Sequence, residues 1–460
     1  MSKTNRQWTR RELLKCGMAA ALGSTSFRGA LGLLAGAGAS AAEAAAGDYK
    51  ALVCVFLFGG NDGYNVLVPN NAGFYPQYAQ ARGNLAIDQT QLLPLTGLDA
   101  AGRQFGLHPA APELQALYES GKLAFVANAG TLLAPTTKTD YQANRNLPPR
   151  LFSHNDQQDE WMSSEPDAFK RQGWGGKLAE RLASMNMNPQ LSMNISIAGN
   201  NRFQTADAAI PYVLSSSGVQ RLTAFSGTSQ TTMNRKAAYD QLLSQAQSGH
   251  LFEAHSSQLT SRSLALADQV DAALVSGPTL TTVFPTGNRL ADQLRMVARL
   301  ISVRDTLQLR RQVFFVSLGG FDTHDDQLTD QAALLTQVAQ GMKAFYDATV
   351  ELGVADSVTT FSMTDFGRTL TTNGDGSDHA WGNVNWVLGG SVVGHAVYGN
   401  YPDLTINGVN DAGGGRLIPT TSVDQYGATL ARWMGASDGD LGVIFPHLAR
   451  FATANLGFMA

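Results

Sequence analysis

The sequence predicts an α/β protein, a mostly parallel sheet flanked by helices. Two apolar runs carry much of this, ALVCVFLF at 51–58 and VFFVSL at 313–318. Both are too uniformly hydrophobic for a half-exposed strand and fit strands buried on both faces. Helical patterns then alternate with strand patterns along the chain, as a parallel sheet requires. Each run also ends at Gly-Gly with an aspartate close behind, Asp62 and Asp322. Ligands of open α/β sheets gather just past the carboxyl ends of the strands.

The chain has 460 residues, 44% of them hydrophobic and 15% charged, enough for a large core. Its formal charge of −4 gives no electrostatic footprint for nucleic acid or an anionic membrane. Residues 1–46 read as a separate segment. Arg10-Arg11 precede an Ala/Gly/Leu-rich run to about residue 42, and small residues at 39–46 offer cleavage sites. The pattern resembles a twin-arginine export signal. It is too rich in Gly and Ala for a good membrane span. The expectation is a protein exported by the twin-arginine machinery, periplasmic or secreted, with no stable membrane span after processing. That route carries folded proteins, so a metal loaded before export is compatible with it. Of the two cysteines, Cys16 lies in the signal and Cys54 in the first strand, which leaves no internal disulfide and no cysteine metal site.

Residues 112–120 read as a helix stopped by Gly121, and 123–129 as a short strand. Pro148-Pro149 break the chain before Ser153, which is placed to cap a helix towards Trp161. A strand is expected over 191–197. Residues 200–290 are rich in Ser, Thr, Gln and Ala and read as an insertion or cap with helical patches at 235–246 and 261–273. An amphipathic helix over 290–309 leads into the strand at 313–318. A helix over 332–351, a strand over 357–363, a strand over 386–393 and a closing helix over 423–434 follow.

Chemistry-bearing residues cluster at the breaks. Asp322, His324, Asp325 and Asp326 follow Gly319-Gly320 at once, which suits either metal ligation or a solvated acidic turn. His108, before Pro109, reads as structural. Six motifs stand in order: FGGNDGYN at 58–65, LHPA at 107–110, SHNDQQ at 153–158, LGGFDTH at 318–324, TDFGRT at 364–369 and DHAWGN at 378–383. Together they resemble the alkaline phosphatase-like superfamily, and within it the secreted bacterial family known as domain of unknown function 1501. The resemblance covers nearly all of residues 47–460.

That resemblance implies an alkaline phosphatase-like fold and a divalent metal, Zn, Ca or Mg. It implies metal ligation by Asp62, Asp322, His324, Asp365 and His379, and a nucleophile at a helix start, Ser153. His154 and Arg368 are further candidates in the catalytic group, Arg368 for pairing with a phosphate or sulfate oxygen. Two departures stand out. One residue separates Asp322 from His324, where the superfamily has three. Phe366 follows Asp365, where the resemblance implies His or Asn, so the site built on Asp62 and Asp365 is one donor short. The expected function is an exported, metal-dependent hydrolase of phosphate or sulfate esters, its substrate a small molecule or a polymer. The alternatives are a binding or assembly protein with a degraded metal site, and transferase or mutase chemistry on the same scaffold.

The export reading has a direct test. Changing Arg10 and Arg11 together to Lys is expected to leave unprocessed protein in the cytoplasm. Cell fractionation reads this, and normal processing of the double variant would show that the pair is not an export signal.

Overall fold

Fully apolar runs become central strands because each covers two faces at once. The computed structural model describes residues 48–460 except 169–171, 221–223, 225–226 and 246–250. The expected export signal therefore lies outside the described residues. In chain order, the first half contributes β1 (Lys50–Phe58), α1 (Tyr75–Arg82), α2 (Pro112–Glu119), β2 (Leu123–Gly130), α3 (His154–Ser163) and α4 (Trp174–Leu182). Next come β3 (Asn194–Ser196), β4 (Tyr212–Val213), α5 (Gln230–Gln245), α6 (Leu251–Ser276), α7 (Arg289–Ser302) and β5 (Arg311–Gly319). The last part holds α8 (Gln327–Glu351), β6 (Val358–Thr364), β7 (Arg368–Thr372), β8 (Ser377–His379), β9 (Asn383–Gly389), β10 (Ala396–Gly399), β11 (Thr421–Ser422) and α9 (Val423–Met434).

Among the described residues the main sheet has nine strands, in the order β10-β2-β9-β6-β1-β5-β3-β4, with β11 also paired to β2. It is mainly parallel: β1 runs parallel to both β5 and β6, with Cys54 opposite Phe315 and Phe361. Only β9 runs against its neighbours, β2 and β6. Alternate side chains of the central strands serve the two faces. Leu52, Cys54, Phe56, Phe315 and Phe361 pack under Trp161 of α3, Trp174 of α4 and Tyr426 of α9. Burying each such side chain contributes roughly 1.5–3 kcal/mol. On α7 and α8, Leu294, Val297, Val338 and Met342 are likewise buried.

Some element boundaries differ from the expected ones, two of them where buried polar residues take part. The strand expected over 386–393 is Asn383–Gly389, because Asn383 and Asn385 are buried within it and Asn385 Oδ1 accepts from Ser362 Oγ (3.3 Å). The helix expected to start at 332 starts at Gln327, and Gln327 and Gln331 are buried in its first turns. The helix expected over 290–309 stops at Ser302. Leu307 and Leu309 stay buried beyond it, which extends the apolar pattern past the helix. Within 200–290, α5 and α6 are longer than the expected patches, and few α6 side chains are buried.

Parallel pairing puts the carboxyl ends of β6, β1 and β5 side by side, with Leu57 opposite Thr364 and Phe58 opposite Gly319. Gly59 makes the close approach there possible. Its φ is +116°, and a Cβ would lie 2.3 Å from the Asp322 amide nitrogen. Just beyond β1, Asp62 and Arg82 form an ion pair whose side chains are both fully buried. Gln327 Nε2 donates to the same Asp62 carboxylate (2.6 Å), Gln331 Nε2 to the Asp62 carbonyl (2.7 Å), and Arg82 Nη1 to the carbonyl of Thr369 (2.7 Å). Arg82→Met leaves a buried carboxylate without its cation and is expected to cost about 3–5 kcal/mol in urea unfolding. The double variant Asp62→Asn/Arg82→Met is expected to lose less than the two single losses added together.

Candidate metal centre

Four segments meet past the strand ends. β5 delivers Asp322 and His324, β6 delivers Asp365 and Phe366, β8 ends in His379, and α3 begins with His154. The β7–β8 hairpin sets Arg368 opposite His379. The Ser377 amide donates to the carbonyl of Thr323 (3.2 Å), which ties that hairpin to the turn after β5.

His154, Asp322 and His379 each offer one ligand atom, and these atoms lie within 4.8 Å of one another. His154 Nε2 is 3.3 Å from Asp322 Oδ2, and His379 Nε2 is 3.2 Å from Asp322 Oδ1. His324 Nε2 adds a fourth donor, 3.1 Å from Asp322 Oδ1 and 2.9 Å from His379 Nε2. Tetrahedral ligands on bonds of about 2.0–2.1 Å sit about 3.3 Å apart, close to these separations.

The far nitrogens determine which way the lone pairs face. His379 Nδ1 lies 2.8 Å from the carbonyl of Phe152, which can only accept, so the proton sits on Nδ1. His154 Nδ1 lies 2.7 Å from Asp365 Oδ2 and donates to that carboxylate. In the neutral rings both Nε2 lone pairs then point at the Asp322 oxygens. Carbonyl and carboxylate partners behind imidazoles are the usual outer support of metal-binding histidines. Lone pairs facing a carboxylate need a cation or a proton between them. Asp365 is itself fully buried, held by Gln158 Nε2 (2.8 Å), and its Oδ1 has no hydrogen-bond partner among the described residues. Phe152, whose carbonyl sets His379, has φ +72°, a strained value for an aromatic residue.

Charge follows the same design. The Asp365 hydrogen bond raises the His154 imidazole above its ordinary value, against the opposing pull of burial. Burial pushes His379 below its ordinary value. Burial alone would raise the Asp322 carboxyl, but the hydrogen bond and charge of Arg368 outweigh it and hold the group low. Phe366, the expected missing donor, is fully buried. Its ring lies 4.8 Å from that of His154 and 4.5 Å from that of His379, so it forms an apolar wall against both.

The structure brings together His154, Asp322, His324 and His379, with Asp365 behind His154. It does not bring Asp62 into this group, because the Asp62 carboxylate is held by Arg82 and Gln327. The Ser153 hydroxyl donates to Asp156 of its own helix (2.8 Å), and the neighbouring His154 enters the cluster instead. Arg368 is fully buried and spends its donors inside the protein, on Asp322 Oδ1 (2.7 Å) and on the carbonyls of Ser377 and Gly59. It positions Asp322 in this arrangement. His108 is buried away from water, accepts from the Ala110 amide through Nδ1 (3.0 Å), and is pushed down to about 4 by burial. Sequence reasoning missed the Phe152 carbonyl, Gln158 and Arg82. Gln158 stood inside a recognised motif, whereas nothing in the chain marks the other two.

A search of curated proteins found no match. Solved structures that superpose on the chain include Ps i-CgsB in complex with k-i-k-neocarrahexaose, at 9% identity over 88% of this chain and 77% of that one, with a TM-score of 0.36. Another is PsFucS1 sulfatase from Pseudoalteromonas sp., at 11% identity over 87% of this chain and 70% of that one, TM-score 0.34. A third comes from a glycosaminoglycan-metabolism locus of Bacteroides thetaiotaomicron, at 9% identity over 90% and 77%, TM-score 0.36. Likeness at that level carries no argument about activity or ligand. A family model described as a protein of unknown function (DUF1501) matches residues 49–440, and the chain belongs to that family.

Proposed function

We propose that this protein is an exported, metal-dependent hydrolase of phosphate or sulfate esters, with one divalent transition ion at His154, Asp322 and His379 and with His324 as a fourth donor. The observation that carries the reading is the pair of imidazoles whose far nitrogens are tied to Asp365 and to the Phe152 carbonyl. Their free lone pairs converge on one carboxylate. A set rich in nitrogen favours zinc or a similar ion over Ca²⁺ or Mg²⁺, which take oxygen. A divalent ion held there would supply Lewis acidity and an activated water near neutral pH.

The chain's own groups have separable tasks. Asp365 holds the Nδ1 proton of His154 and orients the ring. The Phe152 carbonyl does the same for His379. Arg368 orients Asp322 and balances its charge. Phe366 keeps water from the inner side of both rings. With Ser153 bonded to Asp156, water is the better candidate for the attacking group.

A second reading has its own support. Asp62 and Asp322 are each matched by a guanidinium, Arg82 and Arg368. A scaffold neutralised in this way would suit a binding or assembly protein that does no chemistry.

Elemental analysis of the folded protein purified without chelator separates the two. The hydrolase reading expects about one transition ion per chain and turnover of an aryl phosphate, phosphodiester or sulfate; folded protein without stoichiometric metal removes it. Asp322→Ala and His379→Ala are expected to lose the ion. Asp325→Ala and Asp326→Ala are expected to keep it. Asp365→Asn is expected to weaken its binding about 10–100-fold. Equal loss in all of these variants would refute the ligand assignment.

A further inference from the structure

Among the described residues two guanidiniums, Arg368 and Arg416, bond to residues of the cluster, and a third, Arg82, serves Asp62 outside it. Arg82 is matched by Asp62 and Arg368 by Asp322. Arg416 is half-buried and forms no ion pair among the described residues. Its position is nevertheless well defined. Nε donates to the main-chain carbonyl of His379 (3.2 Å) and Nη1 to that of Gly413 (3.1 Å). The guanidinium carbon lies 5.3 Å from the centre of the Phe152 ring, a cation–π contact.

The local chain is built to present this side chain. The Ala412 amide donates to the Arg416 carbonyl (2.8 Å), closing a tight loop. Gly415 at φ +75° lets that loop lie against β7, where a Cβ would be 2.8 Å from the Leu370 amide nitrogen. The Leu370 amide donates to the Gly415 carbonyl (3.0 Å), and Thr371 Oγ1 to that of Gly414 (2.7 Å).

Arg416 therefore touches both residues that define His379: its own carbonyl, and Phe152, whose carbonyl holds Nδ1. A half-buried guanidinium held in place by carbonyls, with no counter-ion among the described residues, is placed to take an anion that supplies the charge. The planar fork of a guanidinium fits the oxygens of phosphate or sulfate.

We propose that Arg416 is the anion anchor of this site, taking the oxygens of a phosphate or sulfate group that the metal cluster does not. The proposal deepens the ester-hydrolase reading and rests on it for the substrate class. Arg416 would touch substrate, whereas Arg368 acts through Asp322.

The test titrates the full-length protein with inorganic phosphate and with sulfate by calorimetry, metal-loaded and chelator-stripped in parallel. The wild type is expected to bind at least one of these ions. Arg416→Met is expected to weaken that binding about tenfold or more, with metal content unchanged. Arg416→Lys is expected to fall between, since it keeps the charge and loses the fork. Equal affinities of wild type and Arg416→Met, or no binding of either ion by the wild type, would overturn the proposal. Loss of metal from folded Arg416→Met would also overturn it, by making Arg416 a support of His379. If Arg416→Met does not fold, the same comparison with Arg416→Lys decides. Absence of metal from the wild type would undo the metal reading alone, because the stripped-protein titration still measures the share of Arg416.

Discussion

Charge at the carboxyl edge of the sheet has to be matched inside the protein, and much of the surrounding structure follows from that. Asp62 sits just past a central strand with no access to water, so its carboxylate needs a cation and hydrogen-bond donors. Arg82 at the end of α1 supplies the cation, and Gln327 and Gln331 at the start of α8 supply donors. Arg82 in turn reaches the carbonyls of Thr369 and Leu370 in β7. One ion pair thus fixes the approach of two helices and a hairpin to the sheet. That hairpin carries Arg368 and His379 to the next carboxylate, Asp322.

The candidate centre repeats the principle with a different outcome. Asp322 is balanced by Arg368 but remains partly open, its side chain 44% exposed, and three imidazoles surround it. Two of these rings are oriented from behind, His154 by a buried carboxylate and His379 by a main-chain carbonyl. The strained backbone of Phe152 lies where that carbonyl is aimed, which is where strain tends to be kept in functional sites. Asp62 is closed into the framework, while Asp322 stays partly exposed.

Much of the fold was legible along the chain. The continuous apolar runs at 51–58 and 313–318 read as strands covered on both faces and are strands, and α9 has the limits its pattern predicts. Two of the misplaced boundaries, at the starts of β9 and α8, share one cause. Asn383, Asn385, Gln327 and Gln331 are buried polar residues with partners far away in sequence, and hydrophobic periodicity does not register them. The six motifs were enough to identify the family.

The site was legible as residue types and not as roles. Asp322, His324 and His379 stand in motifs that announce ligand chemistry, and the structure gathers them. Whether Asp62 faces a ligand or an arginine depends on Arg82, 20 residues away and in no motif. Whether Ser153 or His154 enters the site depends on the direction in which each side chain leaves the first turn of α3. The Phe152 carbonyl that sets His379 is a main-chain atom, 227 residues from its partner, and no side-chain alphabet records it. Local sequence limits which groups a strand end can offer, because apolar runs and glycines dictate where strands stop. Pairing between distant charges and carbonyls decides which of those groups face outwards, since only the assembled interior reveals which charges already have partners.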